Sequence, residues 1–225
     1  LDSQTGVIKS VLLDKGYLTD VRTAIAGAIA SKYLSNSNSS TVAIIGAGIQ
    51  ARMQLEALTL VRDIKNVNVW SRDIQKTQHY IEDIRKNYDF NFKAYDQTSE
   101  VVKNADILIT TSPSKKPLID YFSLPKGIHI TAMGSDAEEK NELDPNIIKN
   151  CDVAICNDTS FSHLSSALGI KTIKLMADTP LIYGSYSTNM YPIIPDGEHT
   201  VTHNTLGKDK INPEKIFNKM ISILA

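Results

Sequence analysis

The chain has 225 residues, of which 42% are hydrophobic and 22% charged, and its formal net charge is -1. This balance shows no basic surface for nucleic acid, and the apolar runs are far shorter than the ~20 residues that a membrane-spanning helix needs. The expected partners are therefore small molecules rather than nucleic acids or membranes.

The first part of the chain predicts a strand and an alanine-rich helix. Residues 7–13 are a strand candidate that a turn at Asp14-Lys15-Gly16 closes, and Thr19 can then cap a helix that continues to about Leu34. A polar loop at residues 35–40, rich in Ser and Asn, follows this helix. The loop predicts that a new unit begins near Thr41.

That unit opens with a β-branched run that enters a Gly-x-Gly-x-x-Ala turn. The residues of the turn are Gly46, Gly48, Ile49, Gln50 and Ala51, and helical periodicity follows them. The first glycine permits a tight turn, the second lets the backbone approach a pyrophosphate, and the alanine allows close packing of the helix. The pattern favours a dinucleotide site over an ordinary strand-turn-helix in which small residues only ease packing.

After this turn the predicted strands and helices alternate. Strands are expected at 41–46, 67–71, 91–95, 106–111, 127–133 and 152–156, with helices at 49–62, 73–88 and 97–103. Such alternation of apolar strands with helices predicts an α/β fold with a Rossmann-type, doubly wound parallel sheet. Beyond residue 160 the pattern weakens, apart from a short helix at 163–168 and a last amphipathic helix that starts at Asn212-Pro213-Glu214.

The end of the second strand indicates which nucleotide is bound. An NAD-selective site usually has an acid there, but this chain has Ser71 and Arg72. A hydroxyl beside a guanidinium suits a 2′-phosphate, so NADP is favoured, while Asp73 keeps NAD possible.

Further polar groups follow later strands of the predicted sheet. Thr110, Thr111 and Ser112 end one strand, and Asp136 follows Met133, Gly134 and Ser135 after the next. Because the carboxyl ends of the strands face the ligand crevice, the hydroxyls can contact the cofactor and the Asp136 carboxylate can handle protons. The alternatives are a Thr-Ser-Pro turn without a ligand and an Asp136 N-cap for a helix at 137–143.

Arg22 lies on the alanine-rich helix among small and apolar neighbours. Its guanidinium can hold a substrate carboxylate through two parallel hydrogen bonds, although a surface arginine is an equally good interpretation.

No metal site is predicted. His199 and His203 have a spacing found in zinc helices, but Thr200 stands where those helices carry Glu. Cys151 and Cys156, five positions apart on a predicted strand, are too far apart for a disulfide and are expected to be reduced thiols of a cytoplasmic protein.

Three segments together resemble the ornithine cyclodeaminase/mu-crystallin family over about residues 1–158. They are Leu18–Leu34 with Arg22, the turn from Gly46 to Ala51, and Ala132-Met-Gly-Ser-Asp136 followed by Lys140 and Glu142-Leu-Asp-Pro145. The resemblance implies that Arg22 binds the substrate carboxylate and that Asp136 is the catalytic aspartate. It implies cofactor contacts at the turn, at Ser71 and Arg72, at Thr110, Thr111 and Ser112, and at Met133 and Gly134.

The resemblance also implies the organisation of the protein. Members are homodimers in which a Rossmann domain is inserted into a substrate-binding and dimerisation domain. Here the Rossmann domain is expected at 37–160, with an incomplete second domain formed by 1–36 and the poorly matched 161–225.

The implied activity is hydride transfer between NAD(P) and an α-amino or α-imino acid, by an imine reductase or an ornithine cyclodeaminase. Ser71 and Arg72 tilt the prediction toward NADPH-dependent reduction. The family's substrate site also uses a lysine and a second arginine from a segment before the part matched here, so the alternative is a catalytically silent NADP(H)-binding protein.

Overall fold

The computed structural model describes residues 2, 4–11, 13–134, 139–205 and 207–225. The chain divides into two compact units, the first formed by residues 1–114 and 125–140 and the second by residues 115–124 and 141–225. Asp136 and Ser135 lie outside the described residues.

Helices and strands alternate through most of the described chain. The helices are α1 (Tyr17–Leu34), α2 (Ile49–Thr59), α3 (Ile74–Arg85), α4 (Thr98–Val101), α5 (Pro145–Lys149), α6 (Ser160–Ala167) and α7 (Pro213–Leu224). The strands are β1 (Thr41–Ile45), β2 (Asn66–Trp70), β3 (Asn91–Tyr95), β4 (Ile107–Thr110), β5 (His129–Ala132), β6 (Val153–Asn157), β7 (Lys171–Leu175) and β8 (Met190–Ile193).

The first unit is built on a five-stranded parallel sheet in the order β3-β2-β1-β4-β5. Its central strands are continuous apolar runs because both faces of the sheet are covered, and residues 42–45 of β1 are fully buried. The strand order reverses between β1 and β4, which is where ligands bind in open sheets of this type. The predicted Rossmann-type parallel sheet is confirmed.

The start of the first unit differs from the prediction. The described residues among 7–13 form no strand, and α1 begins at Tyr17, ahead of the predicted cap at Thr19. Gly16 takes a φ of +90° at the N-cap position, and the Asp14 carboxylate accepts a hydrogen bond from the Leu18 N–H at 2.7 Å. A turn before the helix thus supplies the acceptor that was expected from the Thr19 hydroxyl.

The second unit contains a three-stranded parallel sheet in the order β6-β7-β8. Of these strands, β6 is predicted by the sequence, whereas β7 and β8 are not. Lys174 of β7 is fully buried, and its ammonium group donates to the Asp158 carboxylate at 2.7 Å and to the Tyr183 carbonyl at 2.8 Å. Burial alone would raise the pKa of Asp158, but the hydrogen bonds from Lys174 and Thr179 hold that pKa below its usual value.

The borders of these units differ from the predicted domain borders at 36/37 and 160/161. The helix α1 packs against α2 inside the first unit, and β6 pairs with β7 in the second. Assignment of a cofactor domain and a substrate domain stays a prediction. In the part of the chain that the structure describes, no helix is both long and apolar enough to span a membrane.

Candidate functional site

The glycine turn lies at the carboxyl end of β1, where the strand order reverses. Gly46 has a φ of +125°, and its N–H donates to the Trp70 carbonyl at 2.8 Å, continuing the β1–β2 ladder. A Cβ at this position would lie 2.5 Å from Oγ1 of Thr111. Both the backbone conformation and the approach of β4 therefore require glycine here.

Gly48 has a different role from Gly46. Its φ of -96° is open to any residue, and no described atom lies within 4 Å of the Cβ that a substitution would add. The space in front of Gly48 is therefore free for a ligand to approach the backbone closely.

The first turn of α2 begins directly after Gly48. Gly48 is the N-cap, so no side chain caps this helix, and its first turn carries no acidic residue. Among the described residues, none accepts a hydrogen bond from the N–H groups of Ile49, Gln50 or Ala51. Three free donors at the positive end of a helix dipole form a site for a phosphate group, and the open space at Gly48 fits the pyrophosphate of a dinucleotide.

The carboxyl end of β4 lies beside the glycine turn, with Thr111 against Gly46. Thr110 is fully buried, and Thr111 donates to the Ile45 carbonyl through both its N–H, at 2.8 Å, and its hydroxyl, at 3.2 Å. Ser112 is also buried, and its Oγ accepts a hydrogen bond from the Ser114 N–H at 3.3 Å. The three predicted hydroxyls thus reach the expected edge of the sheet, and that of Thr111 holds β4 against β1.

The end of β5 brings the next predicted segment to that edge. The Met133 N–H donates to the Thr110 carbonyl at 2.8 Å, and Gly134 follows directly. Asp136 comes two residues later, outside the described residues. A capping role for Asp136 would need the helix considered at 137–143, and its described part, residues 139–143, contains no helix.

The end of β2 shows how its polar residues are used. The Asp73 carboxylate is the N-cap of α3 and accepts from the N–H groups of Gln75 at 2.9 Å and Lys76 at 3.4 Å. The Ser71 hydroxyl donates to the Asp73 carbonyl at 2.8 Å. The Arg72 side chain is exposed and makes no ion pair with any described residue. A helix cap thus occupies the one acid of this segment, and its one guanidinium is free for an incoming group.

Arg22 lies in the second turn of α1, near the start of α2. The side chain is exposed, and no described residue forms a hydrogen bond or ion pair with it. Its position is set by the helix that carries it: the Gln50 side chain at the start of α2 donates to the Asp20 carboxylate at 2.9 Å, two residues before Arg22. Asp20 does not stand out in the sequence, because a carboxylate in the first turn of a helix is common for its favourable interaction with the helix dipole.

The remaining candidates belong to the second unit. Cys151 and Cys156 are free thiols in the second unit, and burial raises the pKa of each. His199 and His203 lie in turns rather than on a strand or helix, and the described ranges contain no group of three or more metal-ligating side chains.

Comparison with known proteins identifies the family. Residues 1–165 match the model of the ornithine cyclodeaminase/mu-crystallin family, which is well over half of the chain. An uncharacterized cyclodeaminase of Sinorhizobium fredii is 48% identical over 157 residues, covering 70% of this chain and 47% of that protein. A Delta(1)-pyrroline-2-carboxylate reductase of Bacillus cereus is 34% identical over 154 residues, covering 68% of this chain and 47% of that protein.

A solved structure extends the likeness of fold. The Delta(1)-pyrroline-2-carboxylate reductase of Thermococcus litoralis, in complex with NADH and L-proline, superposes with a TM-score of 0.64 at 21% identity over 92% of this chain and 65% of that one. The chain spans about half the length of the curated relatives it matches. Its sequence match and its fold agree, and the chain belongs to the ornithine cyclodeaminase/mu-crystallin family.

Proposed function

We propose that the chain is the NADP(H)-binding part of an enzyme that reduces small α-imino acids to α-amino acids. The observation that carries the proposal is the uncapped start of α2 behind Gly48, at the reversal point of a parallel sheet. Membership in a family that includes imino-acid reductases and cyclodeaminases supports the same reaction class.

The preference for NADP over NAD rests on the residues that follow β2. An NAD site needs an acid free to accept from the ribose 2′-hydroxyl, but the Asp73 carboxylate already accepts two N–H groups of α3. Arg72 offers an exposed, planar set of donors that suits the 2′-phosphate. We infer that this position takes a 2′-phosphate, which accepts hydrogen bonds from Arg72. A 2′-hydroxyl would instead need a free carboxylate of the protein as its acceptor.

The proposed chemistry uses Arg22 of α1 and Asp136. The bound nicotinamide, when reduced, supplies a hydride to the imine carbon. Arg22 holds the substrate carboxylate through two parallel N–H···O bonds, which fixes the orientation of the imine. Asp136 carries a proton to the imine nitrogen, so that the C=N bond becomes a CH–NH bond with one hydride and one proton added.

The proposal includes a homodimer in the cytoplasm. The outward face of α1 carries exposed apolar side chains at Leu18, Ile25 and Ile29, which suits burial against a second subunit. The free thiols of Cys151 and Cys156 are in keeping with a reducing compartment.

An NADP(H)-binding protein without turnover is the second candidate. This candidate requires only the uncapped start of α2 behind Gly48, which is independent of the proposed substrate residues. Ornithine cyclodeamination is the third member of this set, and it would draw on the same Arg22 and Asp136.

Turnover separates these candidates. Purified chain is mixed with NADPH and either pyrroline-2-carboxylate or pyruvate with ammonia, and NADPH oxidation is followed by absorbance. The reductase proposal predicts oxidation that is lost in Asp136→Ala, whereas NADPH binding without oxidation supports the silent protein. Proline formation from ornithine with catalytic NAD would instead support the cyclodeaminase.

The nucleotide preference has its own test. Arg72→Ala is expected to weaken NADPH binding about tenfold or more, since it removes a charge-assisted pair with the 2′-phosphate, while NADH affinity stays within about twofold. Lys86→Ala is the matched control because it removes a cation just past the far end of α3, where Lys86 pairs with Asp83. Equal losses for both nucleotides in Arg72→Ala would contradict the proposed role of Arg72.

A further inference from the structure

The first turns of α1 and α2 are joined by two side chains of α2. The Gln50 amide donates to the Asp20 carboxylate at 2.9 Å and to the Asp20 carbonyl at 3.2 Å. One turn later the Gln54 amide donates to the Thr23 carbonyl at 3.1 Å. These contacts fall on either side of Arg22 in the sequence, so they fix the backbone that carries Arg22.

Gln50 has two roles, one for its backbone and one for its side chain. It is the second residue of α2, and its N–H belongs to the free donors proposed for the pyrophosphate, while its side chain reaches back to Asp20. The hydrogen bond to Asp20 involves a charged acceptor in a partly buried setting, and such bonds are among the stronger ones in proteins. A single residue thus joins the nucleotide turn to the helix of Arg22.

The Arg22 side chain has no support of its own among the described residues. Holding a long arginine side chain in one place costs about 2 kcal/mol of rotamer entropy, and no described group shares that cost. Asp20, two positions away on the helix, does not face Arg22 and leaves its charge available. How well the position of the Arg22 guanidinium is fixed therefore depends on how firmly the first turns of α1 are held.

We propose that Asp20 is a positioning residue, which through its hydrogen bond with Gln50 sets Arg22 at the right distance from the nucleotide. The inference rests on the proposed function and adds a residue to its substrate site. Asp20 itself contacts neither ligand. Its loss should therefore affect carboxylate binding and leave nucleotide binding nearly unchanged.

The test uses the whole chain saturated with NADP⁺ and L-proline as the carboxylate probe, with both affinities measured by calorimetry. In Asp20→Ala we expect the L-proline dissociation constant to rise about tenfold, the effect of losing one charge-assisted hydrogen bond. The NADP⁺ dissociation constant should change by less than about twofold, because the N–H groups of α2 remain. Asp20→Asn should restore L-proline binding, since its amide oxygen still accepts from Gln50.

A double-mutant cycle separates positioning from a general loss of structure. Gln50→Met removes the donor and keeps the side-chain length, so the double variant Asp20→Ala/Gln50→Met should bind L-proline no more weakly than either single variant. Additive losses would overturn the inference. Asp63→Ala, an exposed carboxylate beyond the other end of α2, is the control for charge and should leave both affinities unchanged.

The outcomes for the two proposals are distinguishable. Wild-type chain that fails to bind NADP⁺ or L-proline contradicts the proposed function. Wild-type chain that binds both, with Asp20→Ala equal to it, contradicts only the role of Asp20. Urea unfolding of each variant checks that the fold is retained, and Asp20→Asn serves as the test variant if Asp20→Ala does not fold: L-proline binding equal to that of Gln50→Met would then refute the role.

Discussion

Gly46 and Gly48 lie two positions apart in the turn, but they differ in backbone conformation and in the space around them. Gly46 is buried at a φ of +125° with the Thr111 side chain against it, whereas Gly48 is exposed with open space around it. The first glycine is thus required by the fold and the second by the proposed ligand. Substitution by alanine can separate the two requirements.

Gly46→Ala is expected to lower the free energy of unfolding by about 2–3 kcal/mol, through backbone strain and a clash at 2.5 Å with Oγ1 of Thr111. Gly48→Ala should leave the free energy of unfolding within about 0.5 kcal/mol of wild type. It should nevertheless weaken NADPH binding at least tenfold, because its methyl group occupies the path of the pyrophosphate. Urea unfolding and calorimetry measure the two effects. A Gly48→Ala variant that binds NADPH like the wild type would show that the turn does not approach a phosphate.

His129, at the start of β5, predicts how stability depends on pH. Burial and the nearby positive charge of Arg62 lower the pKa of this imidazole from 6.5 to about 4, and its Nε2 lies 3.0 Å from Oγ1 of Thr131. As the pH falls through 6.5, the unfolded chain takes up a proton that the folded chain refuses. The stability present above pH 6.5 is therefore lost progressively down to about pH 4.

The measurement compares urea unfolding of wild type and His129→Gln at pH 7 and pH 5. Wild type should lose about 2 kcal/mol more than the variant between these values, since the variant has no imidazole to titrate at this position. Equal losses in the two proteins would mean that His129 is protonated as easily in the folded chain as in water.

Between elements, the contact of α1 with α2 positions most of the proposed site. Ala24, Gly27 and Ala28 of α1 are buried, and α2 packs against this small-residue face. Arg62 fastens the other end by donating to the carbonyls of Ser31, at 2.9 Å, and Lys32, at 2.8 Å. The two helices are thus held at both ends, which fixes Arg22 relative to the glycine turn.

Gly27 lies at the tightest point of this contact. An added Cβ would lie 2.0 Å from Oε1 of Gln54 and 3.2 Å from Cγ2 of Thr131. Gly→Ala within a helix normally stabilises by about 1 kcal/mol. Here we expect Gly27→Ala to destabilise by about 1–3 kcal/mol, because Gln54 would have to give up its bond to the Thr23 carbonyl.

The cost of Gly27→Ala should fall when Gln54 is removed. In a Gln54→Ala background the 2.0 Å contact is absent and only Cγ2 of Thr131, at 3.2 Å, remains close, so Gly27→Ala should lower the free energy of unfolding less there than in wild type. Thermal or urea unfolding of the four proteins provides the cycle. A Gly27→Ala variant that is more stable than wild type would refute the contact.

Local chemistry explains how well each of these elements could be predicted. The alanine-rich face of α1 and the turn after β1 are visible in sequence because each depends on the size of a few neighbouring side chains. The predicted N-cap of α1, Thr19, was wrong because the turn at Asp14 and Gly16 supplies the acceptor for the first turn of the helix. Asp20 could not be recognised as a contact of Gln50, since the two are 30 positions apart and their pairing depends on helix packing.

At the scale of the whole molecule, strand order brings together residues that are far apart in the sequence. The pairing β2-β1-β4-β5 gathers the glycine turn, Arg72, Thr110 and Gly134 at one edge of the first sheet, although they are distributed over residues 46–134. This gathering follows from parallel alternation and could be predicted. The residue that completes the proposed chemistry, Asp136, comes directly after this edge in the sequence.

In the second unit, β6 and the last helix could be predicted, whereas β7 and β8 could not. Its strand β7 has lysines at positions 171 and 174, so it does not read as buried, yet Lys174 is fully buried because Asp158 neutralises it from a position 16 residues away. Pro192 in β8 weakens the strand signal further. The first sheet could be recognised from its apolar runs. The strand β7 could not, because the burial of Lys174 depends on a charge partner that is distant in the sequence.

Titration of the wild-type chain with NADPH and with NADH tests the proposed nucleotide site most directly. Trp70 is the only tryptophan and lies at the end of β2, beside Ser71 and Arg72, so energy transfer from its indole to the reduced nicotinamide reports binding. The proposed site predicts saturable transfer at micromolar or lower NADPH, with weaker binding of NADH. Absence of binding by either nucleotide at micromolar concentrations would contradict it.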